Sequence, residues 1–329
     1  MNKSKKNIGA LIGEYGAFLA LLLLVIVISI VSPEFRTASN FLNLLRQASF
    51  NGLIAFGMTC VILSDGIDLS VGSTFALSAI ICAELLVYGV PAGVAMLISL
   101  LVGTLLGVVS GVFVTKGRLQ PFIATLITMT AYRGLSMIIT DGKPISRLVA
   151  SIETEAGQFL FKAVGKGKLE FGPIENPWFS IPIPVIILLI ALAIFWFVLH
   201  KTTFGRKIYA TGSNAKCANL VGVNTSKTKI AVYAISGFMA ALAGLIMISR
   251  LDSAQPTLGD GFELDAIAAV ALGGTSMSGG RGKIIGTFAG VLIIAVLNNG
   301  LNILGVGSYY QEVIKAIVIL VAVLSDRKR

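Results

Sequence analysis

Ten apolar runs, each about as long as a lipid bilayer is thick, constrain this 329-residue chain more than any other feature. A helix needs about 20 predominantly apolar residues to cross the hydrocarbon core of a membrane. Only 13% of the residues are charged, about half the share of a soluble domain, which leaves too few to cover a water-facing surface. We therefore predict an all-α polytopic membrane protein with a single transmembrane domain over residues 1–329. The predicted spans are roughly 15–32, 41–63, 73–90, 92–115, 121–140, 182–200, 230–249, 263–279, 284–304 and 309–325.

The run at 263–279 is the weakest, because it is short, glycine-rich and charged at its start. Without it the chain would have nine spans, and the final "RKR" would lie outside. Cytoplasmic segments retain Lys and Arg, so ten spans with both termini cytoplasmic satisfy the positive-inside rule better. The segment 141–181 then lies outside as a periplasmic loop, with five basic and five acidic residues. The inner side holds 16 of the 26 basic residues: Lys3, Lys5, Lys6, Lys116, Arg118, Lys201, Arg206, Lys207, Lys216, Lys227, Lys229, Arg281, Lys283, Arg327, Lys328 and Arg329.

The composition and motifs exclude several classes of function. The net charge of +10 follows mostly from the topological asymmetry, with attraction to anionic lipids second, so it indicates no nucleic-acid partner. Three widely spaced cysteines and one histidine, His200, form no metal-binding or catalytic pattern. The string "GGTSMSGGRGK" resembles a phosphate-binding loop, but Met277 and Ile284 occupy positions that require Gly and Ser or Thr. We therefore expect no enzyme activity, no bound metal and no cofactor on this chain.

Two glycine patterns predict close helix packing. "GTLLGVVSG" places Gly103, Gly107 and Gly111 on one helix face, and "GTFAG" does the same for Gly286 and Gly290. Small residues at this spacing let helix backbones approach closely in lipid. The similarity of "GTLLGV" to "GTFAGV" indicates an internal duplication, in which the second to fifth spans resemble the seventh to tenth.

Ionisable residues near the membrane are candidates for a functional role, because charge at the bilayer centre is costly. Arg133 lies in the middle of a predicted span, so we expect either an ion pair with one of the acids or a position on a pathway. The stretch "SDGIDLSVG" is either a plain inner hairpin or a helix break that lines a route. The residues concerned are Asp65, Asp68, Arg133, Glu263, Asp265 and Lys315.

Four stretches carry a resemblance to a known family: "GMTCVILSDGIDLSVGS", "KGRLQPFIATL", "RLDSAQPTLGDGFELDAIAAVALGGTSMSGGRGKIIGT" and "LNNGLNILGVGSYYQEVIKAIVILVAV". Together they resemble the permease subunit of bacterial ribose ABC importers, in the simple-sugar permease family. The resemblance covers nearly the whole chain from the first span onward. It distinguishes less well between ribose and other pentoses, galactosides or a furanose-like signal molecule.

The resemblance implies a fold, partners and a location. The fold would be that of vitamin B12 importer-type permeases, in the bacterial inner membrane. Two copies of the chain would form a homodimer around a pathway for a small sugar. A separate cytoplasmic subunit would bind and hydrolyse ATP-Mg, and a periplasmic sugar-binding protein would deliver the substrate.

The inner segment 201–229 contains basic residues and no acid. Within it, "SNAKCANLVGV" predicts a short helix that Asn214 or Ser213 caps and Gly222 ends. It resembles the coupling helix of the family, which fits a groove of the ATPase, whereas the alternative is a solvated basic loop. We expect Ala215, Ala218 and Leu220 to form the contact face. The coupling residues implied are Gly205, Gly212, Asn214, Ala215, Ala218, Leu220 and Gly222.

A neutral sugar requires hydrogen-bonding side chains and an aromatic surface along its route. Polar residues in membrane helices also join helices, which is the simpler interpretation of any one of them. Arg36 and Arg147 are candidates to contact the delivery protein. A proton- or sodium-coupled sugar carrier is the rival class, with Asp65 and Asp68 as the start of an acid relay. The candidate pathway residues are Asn51, Asp65, Asp68, Arg133, Asn298, Asn299, Asn302, Tyr309, Tyr310 and Gln311.

Overall fold

The computed structural model describes residues 8–171 and 179–326, which are mostly helical. The chain ends predicted to be cytoplasmic, residues 1–7 and 327–329, lie outside these ranges, as does Glu175 of the outer segment. The described helices are α1 (Ile8–Val31), α2 (Ala38–Leu63), α3 (Val71–Val87), α4 (Ala92–Thr115), α5 (Pro121–Thr140), α6 (Glu155–Lys166), α7 (Ile183–Lys201), α8 (Thr203–Ser213), α9 (Ala215–Leu220), α10 (Thr225–Leu251), α11 (Phe262–Leu272), α12 (Ile284–Ile303) and α13 (Ser308–Asp326).

Five of the described helices are long and apolar enough to cross a membrane, namely α4, α5, α7, α10 and α12. Two shorter apolar stretches, Gly16–Val31 and Val71–Val87, accompany them. The chain is therefore a polytopic helical membrane protein. The helices α4 and α5 begin and end at the predicted residues, because Pro91 and Pro121 mark their starts and polar residues follow their ends.

Among the described helices, α11 falls furthest short of its predicted span. This helix has 11 residues and ends at Leu272, whereas the predicted span extends to residue 279. Gly273 caps it, and Gly274 follows with φ of 77°, a backbone conformation that glycine adopts readily. At 1.5 Å per residue the helix is about 16 Å long, roughly half the thickness of the hydrocarbon core. The loop 273–283 therefore continues the path of the chain towards α12.

The described part of the segment 141–181 is folded rather than irregular. Thr154 caps the start of its helix α6, and its hydroxyl accepts a hydrogen bond from the Gly157 amide at 3.2 Å. Two strands follow, in which Lys168–Phe171 pairs antiparallel with Phe179–Pro182. A second short pair joins Ile145–Ser146 to Ser253–Ala254 and so ties the start of the segment to the end of α10.

The helices α2 and α10 form the centre of the bundle. The helix α10 packs on α3 and α4, while α2 packs on α11 and α12. The glycines of α4 make the first contact close, since a β-carbon on Gly107 would overlap the Tyr233 carbonyl oxygen. A β-carbon on Gly290 of α12 would likewise overlap the Ala269 carbonyl oxygen of α11. Both glycine patterns are thus packing surfaces.

Candidate functional site

A charged cavity of about 790 Å³ lies between α5, α11, α13 and the segment that joins α10 to α11. The helices α5 and α13 contribute residues three or four positions apart, which lie on one helix face, and α11 contributes its first turn. We call this space the charged cavity. Its lining residues are Met129, Thr130, Arg133, Gly134, Met137, Asp260, Gly261, Glu263, Leu264, Asp265, Glu312, Lys315 and Ala316.

Arg133 joins α5 to the opposite wall of the charged cavity. Its guanidinium donates hydrogen bonds to the carbonyl oxygens of Pro256 and Leu258, the latter at 2.9 Å, and forms an ion pair with Asp260. Its side chain is 19% exposed, whereas that of Asp260 is 65% exposed. The planar guanidinium presents five donors, which suits three acceptors at once. We predicted either an ion pair or a position on a pathway for Arg133; the structure contains an ion pair, and the pathway role stays a prediction. The paired acid, however, is Asp260 rather than one of the four acids expected.

A second ion pair lies deeper in the charged cavity. The Lys315 ammonium of α13 is 3.3 Å from Oδ1 of Asp265 in α11, and Asp265 is 7% exposed. The side chain of Asn298 from α12 lies next to Asp265. The Oδ1 atom of Asn298 is buried and has no hydrogen-bond partner among the described residues. Three helices therefore converge on one buried carboxylate.

The lining of the charged cavity has a definite chemistry. Four carboxylates and two cationic side chains surround it, together with Met and Leu side chains. Carboxylates accept hydrogen bonds, whereas guanidinium and ammonium groups donate them. The chemistry of such a wall suits a molecule with several hydroxyl groups, whose carbon atoms the apolar side chains would cover.

Of the ten predicted pathway residues, only Arg133 lines the charged cavity. Asn299 is buried and exchanges two hydrogen bonds with Asn40, at 2.9 and 2.8 Å, so it joins α12 to α2. Gln311 donates to Oδ1 of Asn302 at 2.9 Å. The buried Oδ1 of Asn51 has no partner among the described residues. Tyr309 and Tyr310 are 86% and 71% exposed at the start of α13.

The two acids between α2 and α3 do not line a described cavity. Asp68 is 1% exposed and accepts hydrogen bonds from the hydroxyls of Ser70 and Ser236, at 2.6 and 2.9 Å. Asp65 is exposed, with φ of 60°, and its carbonyl oxygen accepts from Lys229 at 3.1 Å. The stretch is thus a helix break packed against α10 with Asp68 buried in it, and the role of the two acids on a pathway stays a prediction.

The segment 201–229 contains the predicted short helix. The Asn214 side chain accepts a hydrogen bond from the Cys217 amide at 3.0 Å and caps α9, and Gly222 follows with φ of 85°. Leu220 and its neighbour Val221 are 87% and 79% exposed. The tip of this segment therefore presents two apolar side chains to solvent, of which the sequence interpretation included only Leu220.

Three of the predicted coupling residues face the interior of the chain instead of its surface. Ala218 is 4% exposed, because it lies on the inner side of α9. A β-carbon on Gly205 would overlap the Val198 carbonyl oxygen, and one on Gly212 would overlap the Leu63 carbonyl oxygen. The inclusion of Ala218 in a free contact face is therefore wrong, and the two glycines position the segment. Ala215 is half-buried.

Five charged residues of the cavity were absent from the predicted site. Glu263, Asp265 and Lys315 had been noted only as ionisable residues near the membrane. Asp260 and Glu312 flank the starts of predicted helices, where charge is ordinary, so no signal separated them from solvated residues. What assembles the site is the packing of α5, α11 and α13, which a single sequence does not specify. These residues are Asp260, Glu263, Asp265, Glu312 and Lys315.

Comparison with known proteins gives a consistent result. Residues 40–323 match the family described as the branched-chain amino acid transport system permease component. The ribose import permease protein RbsC of Bacillus subtilis is 51% identical over 316 residues, which cover 96% of this chain and 93% of that protein. The protein of the same name from Haemophilus influenzae is 49% identical, over 98% of this chain and 96% of that protein. The one from Escherichia coli K12 is 47% identical, over 96% of this chain and 94% of that protein. No solved structure matched the chain.

Proposed function

This chain belongs to the family described as the branched-chain amino acid transport system permease component, and we propose that it is the membrane subunit of an ATP-driven sugar importer. Ribose is the proposed substrate, because the relatives that cover nearly the whole chain are named ribose import permeases. The sugar would be delivered by a periplasmic binding protein and would cross the inner membrane.

The charged cavity is the observation that carries this proposal. Its carboxylates, Arg133 and Lys315 provide acceptors and donors for sugar hydroxyls at a place where the helices of a membrane protein meet. The two ion pairs satisfy much of this charge in the absence of substrate. Weak and multiple hydrogen bonds are what a pathway requires, since the substrate must leave again.

A second copy of the chain would close the charged cavity. The cavity lies between α5 and α13, whose neighbouring surfaces carry exposed apolar residues such as Ile138, Val313 and Ile317, at 76%, 59% and 56%. Pairing two such surfaces would place one cavity opposite the other. We therefore propose a homodimer with the pathway along its axis.

The helix α9 is the proposed contact with the ATPase subunit. Leu220 and Val221 project at the tip of a segment that holds six basic residues between 201 and 229, which the positive-inside rule assigns to the cytoplasm. The sequence has no phosphate-binding loop, so ATP-Mg would bind the partner subunit and this chain would hold no cofactor.

The topology completes the proposal. We propose ten spans with both termini cytoplasmic, in which α11 and the loop 273–283 together form the eighth. The helix pairings of α10 with α3 and α4, and of α2 with α11 and α12, support the internal duplication and the vitamin B12 importer-type fold. The segment 141–181 would be periplasmic, where Arg147, together with Arg36, would contact the delivery protein.

Reconstitution into liposomes tests the function. The chain is incorporated with its ATPase subunit, the delivery protein is added outside, and labelled ribose inside the liposomes is counted. We expect uptake only when ATP and all three components are present. Uptake by this chain alone, driven by a proton or sodium gradient, would refute the proposal in favour of an ion-coupled carrier. Competition by unlabelled xylose, galactosides and other sugars then identifies the preferred substrate.

A further inference from the structure

An apolar groove runs along the surface of the bundle between α7 and α10, with α2 as its floor. Both helices pack on α2 but make few contacts with each other, so a space of about 340 Å³ is left between them. The helix α7 lines it with a stripe of apolar residues from Ile187 to Val198, and α10 does so from Ile235 to Leu242. Cys60 of α2 lies at the floor. We call this space the apolar groove.

Water is a poor occupant of the apolar groove. By size alone it would hold about eleven water molecules, at about 30 Å³ each. Each water requires about two to four polar partners, yet the lining side chains are apolar apart from the Cys60 thiol, which is a weak donor. Ile190 and Ile194 on one wall are 55% and 54% exposed, so the groove is open to the surroundings of the bundle. A hydrocarbon chain fits such a groove, because it gains dispersion contacts on three sides and needs no hydrogen bonds.

The length of the apolar groove matches one leaflet of a bilayer. Ile187 and Val198 are about 16 Å apart along the axis of α7, at 1.5 Å per residue. The hydrocarbon core of a membrane is about 30 Å thick, so one leaflet contributes about 15 Å. One acyl chain of a phospholipid therefore spans the groove from end to end.

The end of the apolar groove near α8 is basic. Phe204 of α8 lines this end, and Lys207 is three residues further along the same helix. Lys201 is likewise three residues after Val198, at the end of α7. Residues three positions apart are neighbours on a helix surface, and both lysines are exposed. The segment 201–229 contains no acid, so no carboxylate within it neutralises these charges.

Trp196 indicates that the basic end lies at the level of the lipid headgroups. Trp side chains are enriched where a membrane meets water. The Trp196 ring stacks on His200, with 5.6 Å between the ring centres, and the Lys201 ammonium is 5.9 Å from the centre of the indole. This distance is at the outer limit of a cation–π contact, so the ammonium is held only weakly and can reach a phosphate group.

We propose that the apolar groove binds an anionic phospholipid of the inner leaflet, with one acyl chain between α7 and α10 and its phosphate group beside Lys201 and Lys207. The phosphate lies in the inner leaflet because the positive-inside rule assigns the segment 201–229 to the cytoplasm. The groove and the charged cavity are lined by different helices, so the lipid is a bound component of the membrane subunit and not its substrate. The proposal does not depend on which molecule the chain transports.

Native mass spectrometry of the full chain in detergent tests the acyl-chain contact. Dioleoyl phosphatidylglycerol, which is anionic, and dioleoyl phosphatidylcholine, which is zwitterionic, are titrated, and the lipids bound per chain are counted. Leu242→Trp adds volume inside the groove, and Leu105→Trp is the matched control, at a residue of α4 that is 61% exposed and outside the groove. We expect one tightly bound phosphatidylglycerol per chain, and at least fivefold weaker binding by Leu242→Trp than by Leu105→Trp. Equal binding by these two variants would overturn the proposal. If Leu242→Trp is not monodisperse, Ile194→Trp fills the groove from the opposite wall and takes its place.

Removal of charge tests the phosphate contact. One variant combines Lys201→Ser with Lys207→Ser, and the control combines Lys116→Ser with Lys216→Ser, at two exposed lysines that are also assigned to the cytoplasm. A basic residue near an anionic surface strengthens the attraction by about fivefold. We therefore expect the first pair to lower the preference for phosphatidylglycerol over phosphatidylcholine at least fivefold, and the control pair to leave it within twofold. An equal loss in both pairs would indicate general attraction to anionic lipid and would refute the proposed site.

The same spectra distinguish other occupants of the apolar groove. A lipid-free oligomer that Leu242→Trp disrupts and Leu105→Trp preserves would assign the groove to a second copy of the chain and would overturn the proposal. Glycerophosphoglycerol has the headgroup of phosphatidylglycerol but no acyl chain, so we expect it not to compete. Competition at the same concentration as the phospholipid would show that the groove contributes nothing, which would also overturn the proposal.

Discussion

Replacement of Arg133 by alanine perturbs the charged cavity at its most connected side chain. The change removes two hydrogen bonds to backbone carbonyls and one ion pair with Asp260. A hydrogen bond with a charged partner contributes about 1.5–3 kcal/mol. The ion pair adds about 0.5 kcal/mol, because Asp260 is 65% exposed and solvent screens it. Using the lower limit for each hydrogen bond, since water enters the cavity, we expect a loss of about 3.5 kcal/mol.

The assay compares three proteins in detergent and in liposomes. Gly134→Ala is the matched control, because Gly134 is the next residue of α5 in the cavity wall and an added β-carbon there would have no atom within 4 Å. Arg133→Lys keeps the charge but presents a single ammonium group to the three acceptors. We expect Arg133→Ala to lower the thermal unfolding temperature by about 7 °C or more, at roughly 2 °C per kcal/mol, with Arg133→Lys intermediate. Equal unfolding temperatures for Arg133→Ala and Gly134→Ala would refute the conclusion that Arg133 fastens α5 to the opposite wall of the charged cavity.

Two further predictions concern packing and partner contact. Gly107→Val places a side chain against the Tyr233 carbonyl oxygen, so we expect at least about 3 kcal/mol of destabilisation. It is measured as the loss of monodisperse protein on heating, and Gly134→Ala is again expected to be unaffected. Normal stability of Gly107→Val would contradict the close contact of α4 and α10. Leu220→Asp should abolish co-purification of the ATPase subunit while leaving the membrane yield unchanged. Phe159→Asp, at an apolar residue of α6 that is 76% exposed, should retain the ATPase, and equal binding by both variants would rule out α9 as the contact.

The sequence predicted the parts of the fold that local rules determine. The lengths of α4 and α5 follow from apolar runs bounded by proline and polar residues, and the cap of α9 follows from Asn214. The glycine surfaces of α4 and α12 follow from spacing alone. These features depend on residues close together in the chain, so one sequence contains the whole signal.

The remaining features depend on tertiary contacts. Asp260 pairs with Arg133 only because α5 packs beside the segment after α10, although 127 residues separate them. Ala218 is buried because α9 turns that side towards its own chain, and an isolated helix pattern does not reveal which side that is. Helix α11 ends before its predicted span does, because several glycines follow it. The predicted span extends across these glycines because it was based on the average hydropathy of the stretch.

Cysteine labelling of the unmodified chain measures most directly whether α9 lies on the ATPase side of the membrane. Cys217 is exposed on α9, whereas Cys60 and Cys82 are buried, so a membrane-impermeant maleimide reports one position without any mutation. The account predicts labelling in inside-out vesicles, protection there by the bound ATPase subunit, and no labelling in right-side-out vesicles. Labelling of Cys217 from the outer side in intact right-side-out vesicles would contradict the account.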